Sequence, residues 1–393
     1  MAVYLDYNAT TPLAPQVIDA ITGSMRDHWA NPSSNYTVGK ESKAAIEKAR
    51  GQVAKLIGGA SENIVFTSGG TESNNIVFNC ILREGEVPHV ITSTIEHDSV
   101  IKPLNHLKDN GSIELTCVKP VNGYISVSDV MNSVKSNTRL ISIMLANNET
   151  GAIQPVKEIG EVIRLYNINN NKIGQERILI HTDAAQALGK ISVDVQELKV
   201  DYLTIVGHKF YGPRIGGLYI KGLTSNETPY KHFFAGGGQE RGYRPGTENT
   251  PMIVGLGTAA QLVSDRLIHH MSHLRSICEY LRKRLKEKFD DGVHFNSSDS
   301  DCLPNTCNFS LTASHLLQGP VILRHLKSSQ ISLGAACHSH DTFKASFVLL
   351  ESGVSEDIAL NALRVSVGRE TTRADIDIFI NDLSQAVNDI IIK

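Results

Sequence analysis

Apolar residues along the chain follow two rhythms. Short runs dense in β-branched and aromatic side chains occur at Ile64–Thr67, Val90–Ser93, Leu115–Val118, Leu140–Leu145, Ile178–His181, Tyr202–Val206 and Leu218–Ile220. Runs of that length and makeup are buried strands. Between most of them the apolar positions recur at helical spacing. The alternation predicts parallel strands joined by crossover helices, a large doubly wound lobe. Upstream, Pro15–Trp29 has helical spacing through Val17, Ile18, Ile21 and Met25, and Lys40–Ile57 reads as a second helix closed by Gly58-Gly59. A long helix is predicted from Pro251 to about Phe289. Beyond it, strands at Thr306–Leu311, Ile331–Leu333 and Ala362–Val367 and helices at Leu316–Leu326 and Ala374–Ile390 predict a smaller α+β lobe. The fold class is therefore α/β. The larger lobe takes residues 15–265, and the smaller takes 1–14 with 266–393.

Composition narrows the field. With 393 residues the chain exceeds what one core usually holds. A net charge of −3 offers no attraction to nucleic acid or to an anionic membrane surface. No apolar run is long enough to span a bilayer. The opening MAVYLDYNATTP has neither a cationic leader nor an Arg-rich amphipathic one, so a cytosolic location is expected. The six cysteines are irregularly spaced without a Cys-x-x-Cys pair, and no metal site is expected. Five of them read as reduced structural thiols. Cys337 differs, because it follows Gly334-Ala335-Ala336 and precedes His338, Ser339 and His340. Few bulky neighbours surround it, and nearby imidazoles favour a thiolate.

Four candidate features stand at strand ends. Tyr202–Val206 runs into a glycine-rich turn carrying His208 and Lys209, where partial desolvation would free the amine for a Schiff base. Ile64–Thr67 runs into Ser68-Gly69-Gly70-Thr71 and a helix N-terminus, an anion cradle without the spacing of a Walker loop or a dinucleotide fingerprint. Asp183 closes another strand, where a protonated pyridine nitrogen would offset the cost of its burial. His97 lies just past a further strand, placed to stack on a flat ring or to move protons. Asn147 and Asn148 offer amides nearby. Any one of these is ordinarily a turn, a cap or a surface residue. Together they specify pyridoxal 5′-phosphate (PLP).

From Tyr4-Leu5-Asp6-Tyr7-Asn8-Ala9-Thr10-Thr11 to Arg364-Val365-Ser366-Val367-Gly368-Arg369 the chain resembles the NifS-like family of fold-type I PLP enzymes. That family holds cysteine desulfurases and selenocysteine lyases. The runs LTIVGHKFYGPRIG, GGGQERGYRPGTENTP, LPNTCNFS and GAACHS resemble the selenium-handling branch. The resemblance implies a large mixed-sheet domain with a smaller α+β domain, and it assigns roles. Lys209 would bind the cofactor's aldehyde carbon and carry the substrate's Cα proton. His97 would stack on the ring, Asp183 would pair with its nitrogen and Gln186 would bond its phenolic oxygen. Gly70, Thr71 and His208 would hold the phosphate, and Thr247 would reach the phosphate in the other subunit of a homodimer. Asn148 and Arg364 would bind substrate, Arg364 by a fork onto its carboxylate. The chain departs from the family twice. Val206 stands where desulfurases generally have serine, removing one phosphate donor. The loop before Cys337 has alanines where iron–sulfur desulfurases have serines.

The activity so implied removes selenium from L-selenocysteine and leaves L-alanine, with Cys337, a reductant or an acceptor protein receiving the selenium. The rival readings are a cysteine desulfurase that loads Cys337 with persulfide, and a PLP-fold subunit without turnover. Asp98, beside His97, is expected at the substrate, where its charge would oppose forming a thiolate.

Overall fold

The computed structural model describes residues 2–297, 301–334 and 344–392. Its centre is a seven-stranded sheet of β2 (Ile64–Thr67), β3 (His89–Ser93), β4 (Glu114–Val118), β5 (Thr138–Ser142), β6 (Leu179–Asp183), β7 (Tyr202–Val206) and β8 (Gly216–Ile220), in the order β2-β8-β7-β6-β5-β3-β4. Side chains alternate between two cores, as the two-residue period of a strand requires. Phe66, Ile91, Ile141, Ile180 and Leu203 enter one, while Val65, Val90, Leu140, Leu179 and Tyr202 enter the other. Burial on both faces is why these strands read as unbroken apolar runs.

The pairs among β3, β4, β5, β6 and β7 are parallel, as the alternation predicted. β8 is not: it runs antiparallel to both β7 and β2. The cause is the connection. A glycine-rich turn at 207–215 joins β7 to β8, and a link without a crossover helix returns the chain antiparallel.

Helices α1 (Pro15–Asp27) and α2 (Thr37–Leu56) pack on the 40-residue helix Thr250–Phe289. That helix contributes Leu256, Ala260 and Val263 to the large-sheet core and Leu274, Leu281 and Leu285 to a separate core. The second core gathers Leu5, Phe309, Leu363 and Phe379 from β1 (Val3–Tyr4) and its neighbours, β10 (Thr306–Leu311), β12 (Ala362–Ser366) and the C-terminal helix Arg373–Ile391. Here β9 (Val293–Phe295), β10 and β12 form an antiparallel sheet, and β1 pairs with β11 (Ser329–Gln330). The ladder with β1 falls just before the predicted Ile331–Leu333, whose Ser332 instead bridges antiparallel to Arg364 of β12 while Ile331 and Leu333 pack on the core. The helix predicted from Leu316 begins instead at Gly319, with proline in its first turn. Among the described residues no helix is long and apolar enough to cross a membrane, and no cluster of His, Cys, Asp and Glu could hold a metal ion.

Candidate active site

The chain emerges from β3, β5, β6 and β7 at one edge of the sheet, where open α/β sheets bind ligands. A cavity of about 370 Å³ lies there. It brings together every predicted site residue except Thr247 and Cys337. Cys337 lies outside the described residues. Thr247 lines a neighbouring cavity of about 270 Å³ with Ser68, Arg214 and Arg244.

Lys209 ends a single 3-10 turn, Gly207–Lys209, that follows β7 directly. A Cβ on Gly207 would meet the Pro213 carbonyl oxygen at 2.5 Å, so the tight turn that aims Lys209 admits only glycine. The Lys209 amine donates to the Asn8 and Ala9 carbonyls at 2.8 Å each. Asp183 closes β6, the strand paired with β7, so the two reactive ends are fixed by one ladder. Its carboxylate accepts from Ala185 N at 2.9 Å and from Asn74 Nδ2 at 3.0 Å. His97 caps helix α4 (Asp98–Asp109), and its Nδ1 accepts the Ser99 amide at 3.1 Å. Asp98 also lines the cavity, but Lys102 one turn on holds its carboxylate at 2.7 Å. The charge that the sequence assigned to Asp98 is therefore shared.

The anion cradle forms where β2 meets helix α3 (Gly70–Cys80). A Cβ on Gly70 would stand 2.8 Å from a Val206 methyl, so a larger residue would crowd the cradle. Val206 thus presents a methyl, and no hydroxyl, to the cradle. Free N–H groups of the first turn of α3 remain, as does His208, whose Nδ1 lies 3.0 Å from the Thr10 hydroxyl. Burial, with Lys209 and Arg214 adding to it, pushes the His208 imidazole down to about 4, so it offers an N–H and no charge at neutral pH. Positive charge enters from Arg214, which lines an adjoining cavity of about 300 Å³ with Ser68, Gly70 and Thr71. The sequence reading missed Arg214.

Arg364 is fully buried on β12. Its Nη2 donates to Asp6 Oδ1 at 2.5 Å, and its Nη1 donates to the carbonyls of Asn148 at 2.7 Å and Gly334 at 3.3 Å. Nε has no partner. A substrate carboxylate reaching this guanidinium must share it with Asp6. Gln186 donates to the Asn8 carbonyl at 3.0 Å and accepts from Lys190 Nζ at 2.7 Å. Lys190 is itself buried, and burial with the nearby Lys209 and Arg364 charges drives its amine well below the usual lysine value.

Three further residues escaped the sequence reading. Glu96 lines the cavity and is pushed up to about 8, chiefly by burial and further by Asp183. Its Oε1 accepts from Ser93 Oγ at 2.6 Å and from Met144 N at 2.9 Å. Glu149 meets Ser346 Oγ at 2.6 Å, and a Cβ on Gly334 would touch its side chain at 3.3 Å. It thus faces both described flanks of the Cys337 segment. Asn74 is the third. Of the thiols read as structural, Cys80 is buried and pushed up to about 12 by that burial. Cys117 is only half-buried, because it lies on β4 at the sheet's edge.

An anion cradle, a strand-end carboxylate, an imidazole and a lysine share one cavity, so the residues fit PLP. Comparison with known proteins agrees. The family model described as aminotransferase class-V matches residues 3–379. Rat selenocysteine lyase is 49% identical, over 98% of this chain and 94% of its own length. The mitosomal cysteine desulfurase of Encephalitozoon cuniculi is 37% identical, over 98% and 86%. A solved NifS-like protein superposes with a TM-score of 0.88 at 31% identity, covering 99% of this chain and all of that one.

Proposed function

The chain belongs to the aminotransferase class-V family, and from that premise we propose a PLP-dependent lyase that removes selenium from L-selenocysteine and leaves L-alanine. One observation carries the reading. Asp183 ends β6, Lys209 lies in the turn that leaves the paired strand β7, and both line a single cavity, as a cofactor held at its ring nitrogen and its aldehyde would require. When bound, PLP supplies the aldehyde that captures the substrate amine and the ring that stores electrons released at Cα.

The chain supplies the rest. Gly70, Thr71 and His208 would hold the phosphate, with Thr247 reaching the phosphate in the partner subunit of a homodimer. Asp183 would pair with the ring nitrogen, Gln186 with the phenolic oxygen and His97 with the ring face. Lys209 takes the Cα proton and returns a proton to product. Asn148 and Arg364 hold the substrate's carboxylate end. Cys337 or an external reductant receives the selenium. The division into residues 15–265 and residues 1–14 with 266–393, and a cytosolic location, belong to the same proposal. The change of core between Val263 and Leu274 supports the division.

Selenium and sulfur differ little in size, and even a whole methylene is worth only about 1–3 kcal/mol in a pocket. Ionisation separates the two substrates better. A selenol is more acidic than a thiol, and free cysteine, with a pKa of about 8.5, stays mostly protonated near neutrality. A site that does not help deprotonate its substrate processes selenocysteine and leaves cysteine idle. The test is alanine release from the two amino acids side by side across pH. Strong preference for selenocysteine near neutrality is expected; comparable rates would make the chain a cysteine desulfurase.

A further inference from the structure

Asn74, within α3, is wholly buried, and a buried amide needs partners for one acceptor and its donors. It has them. Oδ1 accepts from the Thr204 hydroxyl at 2.7 Å, and Nδ2 donates to Ser99 Oγ at 2.9 Å and to Asp183 Oδ2 at 3.0 Å. The direction of each bond is determined. A carboxylate oxygen only accepts, so the amide nitrogen faces Asp183. Ser99 Oγ then accepts from Asn74, and its own hydrogen goes to His97 Nδ1, 2.8 Å away. The Ser99 backbone N–H, which only donates, meets the same Nδ1 at 3.1 Å. The ring proton of His97 therefore resides on Nε2.

We propose that Asn74 is a positioning residue that ties together the two ring-facing groups of the cofactor site. One amide hydrogen holds Asp183, and the other turns the Ser99 hydroxyl toward His97 Nδ1, reinforcing the Ser99 backbone N–H that already makes Nδ1 an acceptor. The inference rests on the PLP reading and deepens it. It also limits His97. The relay behind the imidazole ends at an amide, which gives up no proton at neutral pH. His97 thus presents Nε2–H as a hydrogen-bond donor, and proton transfer at Cα falls to Lys209.

The test is PLP binding to the full chain stripped of cofactor, alongside a 1-deaza analogue in which carbon replaces the ring nitrogen. Asn74→Ala should weaken PLP about tenfold to a hundredfold, the range for one hydrogen bond to a charged group. It should weaken the analogue by less, because the analogue keeps the ring that His97 faces and lacks only the nitrogen that Asp183 meets. On an Asp183→Asn background, Asn74→Ala should cost less than it does on wild type. Equal losses for both ligands, or additive losses with Asp183→Asn, would reduce Asn74 to a packing residue and overturn the proposal. Should Asn74→Ala not fold, nitrogen NMR of the wild-type imidazoles still decides. The His97 signal, identified by its loss in His97→Gln, should show a proton on Nε2; a proton on Nδ1 reverses the relay and refutes it. Neither readout uses selenocysteine, so a failed alanine-release assay leaves both standing.

Discussion

Replacing Glu96 by glutamine should stabilise the protein, increasingly so as pH rises. In the folded chain burial holds the Glu96 proton up to about pH 8, whereas an ordinary glutamate releases it near 4.5. Between those values the folded state binds the extra proton, and stability must fall as pH rises. A gap of about 3.5 pH units, at about 1.36 kcal/mol each, comes to roughly 5 kcal/mol. The amide of Glu96→Gln copies the shape of the protonated carboxyl, can still accept from Ser93 and Met144, and carries no charge to bury. The assay is urea unfolding of wild type and variant in parallel from about pH 5 to pH 9. The variant's advantage should grow by about 1.4 kcal/mol per pH unit up to about pH 8 and then level off. A difference that ignores pH, or one that increasingly favours wild type, would show that Glu96 is ionised in the fold and refute the reasoning.

Other outcomes follow from the same geometry. Lys209→Ala should lose both turnover and borohydride trapping of PLP on the chain; trapping that persists would identify a different lysine. Arg364→Lys should raise KM for selenocysteine at least about tenfold while PLP stays bound, because a point charge cannot replace a fork shared between Asp6 and substrate; an unchanged KM would remove Arg364 from substrate binding. Cys337→Ala should keep PLP and substrate affinity yet lose most selenium transfer. A normal rate with a lowered Tm would make that cysteine structural.

The large sheet was legible because its strands are buried on both faces and so carry unbroken apolar runs. The direction of β8 was not, since hydrophobic pattern records burial and is blind to strand polarity. Val293–Phe295 escaped notice because its three half-buried or exposed residues carry too little pattern to stand out. In the site, residues with distinctive local settings were readable: a lysine in a glycine-rich turn, an aspartate closing a strand, a glycine pair before a helix. The second layer was hidden. Asn74 stands among Thr71, Glu72, Ser73 and Asn75, a polar run in which no apolar residue marks burial, yet Asn74 and Ser73 are wholly buried. Lys190 can be buried only because oxygens from Gln186 and the distant Asn8 meet its amine. No local pattern announces such partners.

Asn8 shows how that hidden layer joins fold to chemistry. Its carbonyl accepts from Lys209 and Gln186, and its Oδ1 accepts from Lys190, all three on the large-sheet side. Its Nδ2 donates to Thr306, its backbone N–H donates to Ser366, and its Oδ1 also accepts from Asn305, all three on the side of the second core. One buried residue of the N-terminal strap thus binds the lysine's turn to β10 and β12. Arg364 lies on β12, and its Asp6 partner lies two residues before Asn8. A shift of the second core would therefore move the substrate's carboxylate site and the contacts of the lysine together. The distance between them is set by hydrogen bonds to one short segment, not by the apolar packing that divides the chain into two cores.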